Sequence, residues 1–568
     1  MVGPNLGRPG PGSTPTQEST YLPVLSASAS LVLVIILPVF AIAPLFYPGY
    51  FQTLSGFIPL WNVADLRANL GSPNWTPNIA TDFDFVRSTG LLPYYLASLL
   101  PAAPIIAVKI VIGFGWLLGG LGLFLWLKAW LGNAGALVAA LVYVYLPYQI
   151  ATVYVRGAWG ETLFWGLLPW AMLVTARIAV SPRFWLIAVG TALWLSLGIT
   201  QLGLAFWALI FAAVYSIGVC RPARLAAIVP VVVGTGLATA TYLLWPPNVS
   251  RVPARLNFSD HFLFPFQLVS AAWGFGPSLP GWQDTLPLQL GLAALGLAIL
   301  GLFLWQRGGS GQVSRTDRRL LFFSLAALML VLLQFGPSSI LWNLPLLPGR
   351  VLSDSLTYPW QLLGLIGLCL AVMAGATLWL DRQLARLPLF GAIILITILS
   401  VYPFLSPRFI RPDVSVPETP QAEFGESQLT LVNHEFAAKT SGHTVGLQFG
   451  QTAIPLAGHG PLEAGDTLLL NVSWHPLQSF GEDLKIFVHL VDTNDRILAQ
   501  FDGQPLAGEY PTSDWLPGEI IPDTYAVKLP LDAPPGPYRV YLGLYDAVTN
   551  NRLPVTGSDA GRAVIDVK

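Results

Sequence analysis

Between about Leu22 and Phe404 the chain is a succession of some eleven apolar runs, and the basic residues separating them fall almost entirely in alternate gaps. A membrane-crossing helix needs about 20 mostly apolar residues. Runs near 22–46, 103–127, 134–152, 162–176, 184–200, 202–219, 225–245, 287–305, 320–335, 360–380 and 388–404 read as spans. One set of gaps is short and basic, with Lys128, Arg177, Arg183, Arg221, Arg224, Arg307, Arg315, Arg318, Arg319, Arg382 and Arg386 against the two acids Asp317 and Asp381. The other set holds the long loops 47–102, 246–286 and 336–359 and a short one near 153–161. Short basic loops stay in the cytoplasm. The expected orientation therefore has the N-terminus inside and the long loops and C-terminal region outside the cell membrane.

Composition agrees. The chain is 54% hydrophobic and only 10% charged, where a soluble domain carries about 25% charge. Its net charge of −1 averages two unlike regions, and there is no basic stripe with interleaved aromatics, so nucleic acid is not an expected partner. Both cysteines, Cys220 and Cys369, lie in or beside spans, which leaves the external regions without a disulfide frame. Residues 1–21, rich in Gly, Pro, Ser and Thr, read as a disordered cytoplasmic tail.

The pattern changes after Phe404. Residues 405–426, punctuated by Pro407, Pro412, Pro417 and Pro420, read as a linker. From 427 to 568 short alternating runs separated by turn residues predict seven or eight strands and an extracytoplasmic all-β sandwich. Expected strands are Gln428–Val432, Thr467–Trp474, Leu484–Asp492, Arg496–Phe501, Thr524–Leu531, Tyr538–Tyr545 and Ala563–Val567. Within the first long loop, Leu92–Leu100 is too short to span and reads as a helix lying at the outer surface.

The extracytoplasmic side of the membrane region carries seven acids: Asp65, Asp82, Asp84, Glu161, Asp260, Asp284 and Asp354. Its one histidine, His261, excludes a multi-histidine zinc site; a carboxylate site, with or without a divalent cation, stays open. No phosphate loop, CxxC or Ser/His/Asp set stands out. Asp82 and Asp84 share a face if the segment is extended, and so could work as acid and base, hold a cation, or simply be solvated. Asp65 reads as a base candidate, a helix cap or a partner of Arg67. In Tyr154–Glu161 (YVRGAWGE), Arg156 could hold a lipid phosphate with Glu161 positioning it, or the two could form an ion pair that locks the loop. Arg251, Arg255 and Arg350 are further phosphate-binding candidates, since the planar guanidinium donates bidentately. Lys109, near a span end, reads as a snorkelling lysine.

Several runs in order resemble a known group: Pro73–Pro77 (PNWTP), Leu92–Ala97 (LPYYLA), Leu146–Tyr148 (LPY), Tyr154–Glu161, Trp273–Ser278 (WGFGPS) and Tyr358–Gln361 (YPWQ). They resemble the bacterial "6-pyruvoyl-tetrahydropterin synthase-related" membrane proteins, which are GT-C-type glycosyltransferase-like; nothing in the chain looks like a pterin enzyme. The resemblance implies a polytopic α-helical, GT-C-like membrane domain over 22–404. It also implies transfer of a sugar from a polyprenyl-phosphate carrier to an external glycan or protein acceptor. A first-loop carboxylate, Asp65, Asp82 or Asp84, would be the general base, with Arg156, Glu161, Arg251, Arg255 and Arg350 around the substrate. Relatives carry a His-Asp pair early in this loop and a histidine between the fifth and sixth runs; here Leu54–Trp61 has neither residue and position 201 is glutamine. The alternative is a non-catalytic relative that binds lipid-linked glycan or organises the envelope. A transporter fits less well, because its ionisable groups belong near the bilayer midplane.

Overall fold

A computed structural model describes residues 25–51, 53, 58–68, 90–219, 224–244, 258–274, 278, 281–282, 284, 286–307, 315–347, 350–407, 409, 422–424, 429–439, 462, 464–476, 480–508, 510–515, 521–555 and 560–567. The expected N-terminal tail and most of the expected linker lie outside them. The chain is mostly helical up to Phe404 and β-stranded beyond it.

Five helical stretches are long and apolar enough to cross a membrane: Ala27–Phe46, Pro104–Tyr154, Trp159–Val180, Pro359–Leu380 and Leu387–Phe404. Shorter apolar helices occupy Phe184–Thr200, Leu202–Gly218, Leu225–Thr241 and Leu292–Arg307. Among the described residues, membrane-length helices therefore number five, where the sequence suggested about eleven runs. Part of the difference is one long helical run that folds back on itself. Within Pro104–Val144, Gly132 has φ 72° and ψ 178°, a conformation essentially reserved for glycine. The two arms then lie side by side: Trp116 Nε1 donates to the Val144 carbonyl at 3.0 Å, and a Cβ on Gly120 would meet Val144. The separately expected runs 103–127 and 134–152 are the arms of this hairpin.

Helix packing follows the logic of an apolar solvent. Lipid is as apolar as leucine, so association relies on close backbone approach at small residues. The Cβ position of Gly166 lies against the Gly115 backbone, that of Gly115 against the backbone of Thr162 and Leu163, and those of Gly135 and Gly375 each against the other's backbone. Outward faces are apolar too: Ile106, Ile110 and Phe114 recur at helical spacing on the exposed side of one helix. Contacts of 146 with 367, 135 with 375, 166 with 115 and 90 with 200 put residues 104, 146, 159, 201 and 363 at one end of the bundle. The basic gaps beginning at 181 and 381 lie at the other end.

The end that carries the long loops holds the expected short helix and one departure. The short helix is Leu91–Ser98, with Tyr94 and Ala97 buried against the bundle. The Tyr94 ring meets Trp159 edge-on at 4.7 Å. Lys109 does not snorkel. Its ammonium is buried and donates to the carbonyls of Tyr47, at 2.5 Å, and Gly49. A charge on an apolar helix is tolerated here because it satisfies carbonyls at the end of the first helix.

The C-terminal region is two four-stranded antiparallel sheets, in the order 563–567, 538–546, 484–491, 497–503 and the order 422–424, 429–439, 467–476, 521–528. Leu484, Ile486, Val488 and Leu490 alternate into a core shared with Leu468, Leu470, Val472, Trp474, Tyr525 and Val527 of the other sheet. Period-two patterning thus produces the expected sandwich. Strand Ala422–Phe424 falls inside the expected linker and pairs with Leu429–Leu431.

Candidate functional site

At the loop-bearing end, the chain turns from helix Pro147–Tyr154 through Gly157 (φ 67°) into helix Trp159–Val180. This turn brings Arg156 against Glu161 in the first turn of the new helix. The guanidinium donates twice, Nη1 to Oε2 and Nη2 to Oε1, both at 2.7 Å. Both side chains are buried, Glu161 at 2% exposure. Two further donors complete the carboxylate: Tyr148 Oη to Oε2 at 3.0 Å and Gln361 Nε2 to Oε1 at 2.9 Å. The first half-turn of a helix also favours negative charge. Buried charges persist only when paired and fully hydrogen-bonded, and this carboxylate meets both conditions.

Residues 357–361 organise the other side. The backbone N–H groups of Thr357 and Tyr358 donate to Gln361 Oε1 at 3.0 and 3.1 Å, so its Nε2 must face Glu161. The Trp360 ring carries the Arg156 guanidinium on its face, 4.6 Å from the centroid, and stacks on Tyr358 at 4.6 Å. Trp360 Nε1 donates to Ser278 Oγ at 3.1 Å. Ser278 Oγ in turn donates to Asp284 Oδ2 at 2.7 Å and lies 2.9 Å from His261 Nδ1. A hydroxyl has one hydrogen, and here it goes to Asp284, so the bond from the histidine side requires the Nδ1–H tautomer. Burial pushes the His261 imidazole down to about 4, against a smaller upward pull from Asp260, and the ring is neutral near pH 7. A serine, a histidine and an aspartate therefore meet, contrary to the sequence expectation. They do not form a nucleophilic relay, because the serine proton lies toward the carboxylate and away from the imidazole.

The expected site residues are distributed as follows. Arg156 and Glu161 come together as the ion pair that was one of their two expected readings. Asp65 lies on helix Ile58–Ala68, its side chain outside the described set. Arg67 of the same helix donates to the carbonyls of Ala97 and Leu100, at 3.1 and 2.9 Å, at the end of helix Leu91–Ser98. Asp82, Asp84, Arg251 and Arg255 lie outside the described residues. Arg350 sits in a two-residue strand paired with Leu347, its side chain likewise outside description. Asp354 accepts from the Val351 N–H at 2.8 Å as part of a turn.

Tyr148, Ser278, Trp360 and Gln361 were not singled out individually as site residues; their signal was present in the runs LPY, WGFGPS and YPWQ. His261 and Asp284 lie outside those runs and stood out only as ionisable residues of the external side. Among the described residues no group of three or more His, Cys, Asp or Glu side chains is assembled to hold a metal ion. A scan against protein-family models gives no match for this chain, and neither does a search of curated protein sequences.

Proposed function

We propose that the protein is a GT-C-like membrane glycosyltransferase that moves a sugar from a polyprenyl-phosphate carrier to an acceptor hydroxyl on the extracytoplasmic face of the cell membrane. In this reading the shorter apolar helices also cross, giving about eleven passes. The N-terminus is cytoplasmic and the sandwich extracytoplasmic, as the positive-inside bias requires. One carboxylate among Asp65, Asp82 and Asp84 takes the acceptor proton. The acceptor oxygen attacks the anomeric carbon, the bond to the phosphate oxygen breaks, and the carrier phosphate leaves with the charge. Arg251, Arg255 and Arg350 are the arginines proposed to meet that phosphate. Arg156 and Glu161 act as positioning residues beneath them.

The observation that supports this reading is convergence. The segment 146–161, Ser278 and the run 358–361 are distant in sequence. They build one buried polar network at the end of the bundle where helices 58–68 and 91–98 of the first loop also lie. Such a network rigidifies the floor beneath a site.

The second reading, a non-catalytic protein that binds lipid-linked glycan, is favoured by a different observation. Arg156 gives both terminal nitrogens to Glu161, so its charge is neutralised internally. The test is sugar transfer from radiolabelled polyprenyl-phosphate sugars by the purified protein in lipid, with Asp65→Asn, Asp82→Asn and Asp84→Asn alongside. Transfer lost in one folded variant names the base. Donor binding without transfer from any donor selects the second reading.

A further inference from the structure

The sandwich has a second ordered cluster, on the face of its sheet that points away from the core. Cross-strand pairing puts Tyr541 beside His489, Phe487 beside Gly543 and Tyr545 beside Lys485 on that face. The Phe487 ring lies over Gly543, where a Cβ would come within 2.3 Å of it. Above the rings sit arginines. The Arg552 guanidinium is 4.3 Å from the Phe487 centroid and that of Arg562 is 3.7 Å from the Tyr541 centroid, with Arg539 at 5.8 Å. Phe487 and Tyr541 are thereby buried although they lie outside the core. Sugar stacking on these two rings is blocked, so the surface offers cations and not aromatic platforms.

A guanidinium over a ring keeps N–H donors for other partners and is only weakly hydrated; of those on Arg552, Nη1 donates to the Ala560 carbonyl at 3.5 Å. Among the described residues no carboxylate lies within ion-pair distance of Arg552, and Arg562 reaches only Asp495, at 4.0 Å. Asp495, half exposed in a turn at φ 61°, accepts from Arg539 and from the Tyr541 hydroxyl. It occupies the position that an external anion would take between these donors. The face holds Lys485, Arg539, Arg552 and Arg562 against Asp495, Asp502 and Asp566, and His489 lies 3.8 Å from Asp502 and within the fields of Arg552 and Arg562.

We propose that this face binds an anionic polysaccharide, whose carboxylate or phosphate groups are gripped by Arg552 and Arg562 and, in exchange with Asp495, by Arg539. A polymer fits better than a single ion because the donors span several rows of the sheet, and successive rows on one face are about 7 Å apart. The proposal is independent of the transfer reaction, since binding is read with no sugar donor present.

The test uses the full chain in discs of uncharged lipid, with fluorescent polygalacturonate as the carboxylate probe, a poly(glycerol phosphate) as the phosphate probe and dextran as the neutral one. Binding of at least one polyanion, weakened by salt, with dextran unbound, is the expected result. Arg552→Gln with Arg562→Gln weakens it about tenfold or more, while Arg552→Lys with Arg562→Lys retains most of it. Asp495→Asn removes the internal competitor and tightens binding, a sign opposite to that of simple damage to the fold. Polyanion binding unchanged in the glutamine double variant overturns the proposal. So does equal binding of dextran, or binding of vesicles rich in anionic lipid with neither polysaccharide bound.

Discussion

Gln361 donates to Glu161 at 2.9 Å across 200 residues of sequence, and its own backbone neighbourhood dictates that it must. Its carbonyl oxygen is occupied by the N–H groups of Thr357 and Tyr358, which leaves only the amide nitrogen to face the carboxylate. The turn before helix Leu363–Leu380 thereby locks onto the first turn of helix Trp159–Val180. Gln361→Met removes a donor from Glu161 and an acceptor from two backbone N–H groups at once. Unsatisfied buried groups cost about 1–3 kcal/mol each. The variant should lose on the order of 2–3 kcal/mol by reversible unfolding in detergent; a loss below a few tenths would refute the assignment.

The Arg156–Glu161 pair predicts a characteristic non-additivity. Glu161→Leu alone strands a buried guanidinium on Trp360, and Arg156→Met alone strands a buried carboxylate. Each should cost about 3–5 kcal/mol, whereas the double variant should recover much of that loss. A thermodynamic cycle on the four proteins measures the coupling. If the two losses simply add, the pair does not work as a unit.

His261 sets a pH dependence whose sign follows from its lowered folded-state pKa. The unfolded chain binds this proton near pH 6.5 and the folded chain only near 4. Its contribution is therefore fully present above about 6.5, and it falls away as the pH drops through that window to about 4. At most about 3 kcal/mol is involved. Asp260, adjacent in the chain, opposes the shift without reversing it. The melting midpoint of the wild type should fall between pH 6.5 and 4 more steeply than that of His261→Asn, which keeps a donor toward Ser278 and does not titrate. Parallel curves for the two proteins would sink this account.

Much of this architecture was legible from periodicity. The strands at 484–491, 538–546 and 563–567 were expected within about two residues, because alternation on a half-buried sheet leaves little freedom of register. The apolar runs were legible too, and so was the division between 103–127 and 134–152, whose gap holds Gly132. What composition does not say is that this glycine makes the turn through its backbone angle, because a glycine in an apolar helix is as often a close-packing contact. The network at Glu161 was half legible. Arg156 and Glu161 announced themselves as charges in an apolar setting, whereas Gln361 and Tyr148 are neutral and declare themselves only through contacts that no local spacing encodes. Lys109 was misread because snorkelling assumes that water is the nearest acceptor, and here two backbone carbonyls are nearer.

Glycine in this bundle does two separable jobs, and substitution distinguishes them. At Gly166 the constraint is space: a Cβ would lie 2.1 Å from the Gly115 carbonyl oxygen, so Gly166→Ala must push two helices apart. Overpacking of this kind costs about 1–3 kcal/mol, and Gly115→Ala should add little once the helices have parted. At Gly132 nothing lies within 4 Å of the Cβ position, and the constraint is purely the backbone angle. Gly132→Ala should cost on the order of 1–3 kcal/mol without altering interhelical distances, while a D-alanine at the same position should cost almost nothing. Unfolding measurements paired with spin-label distances between the arms 104–131 and 133–144 separate the two. Parting of the arms in Gly132→Ala would show that the hairpin is set by packing and not by the turn.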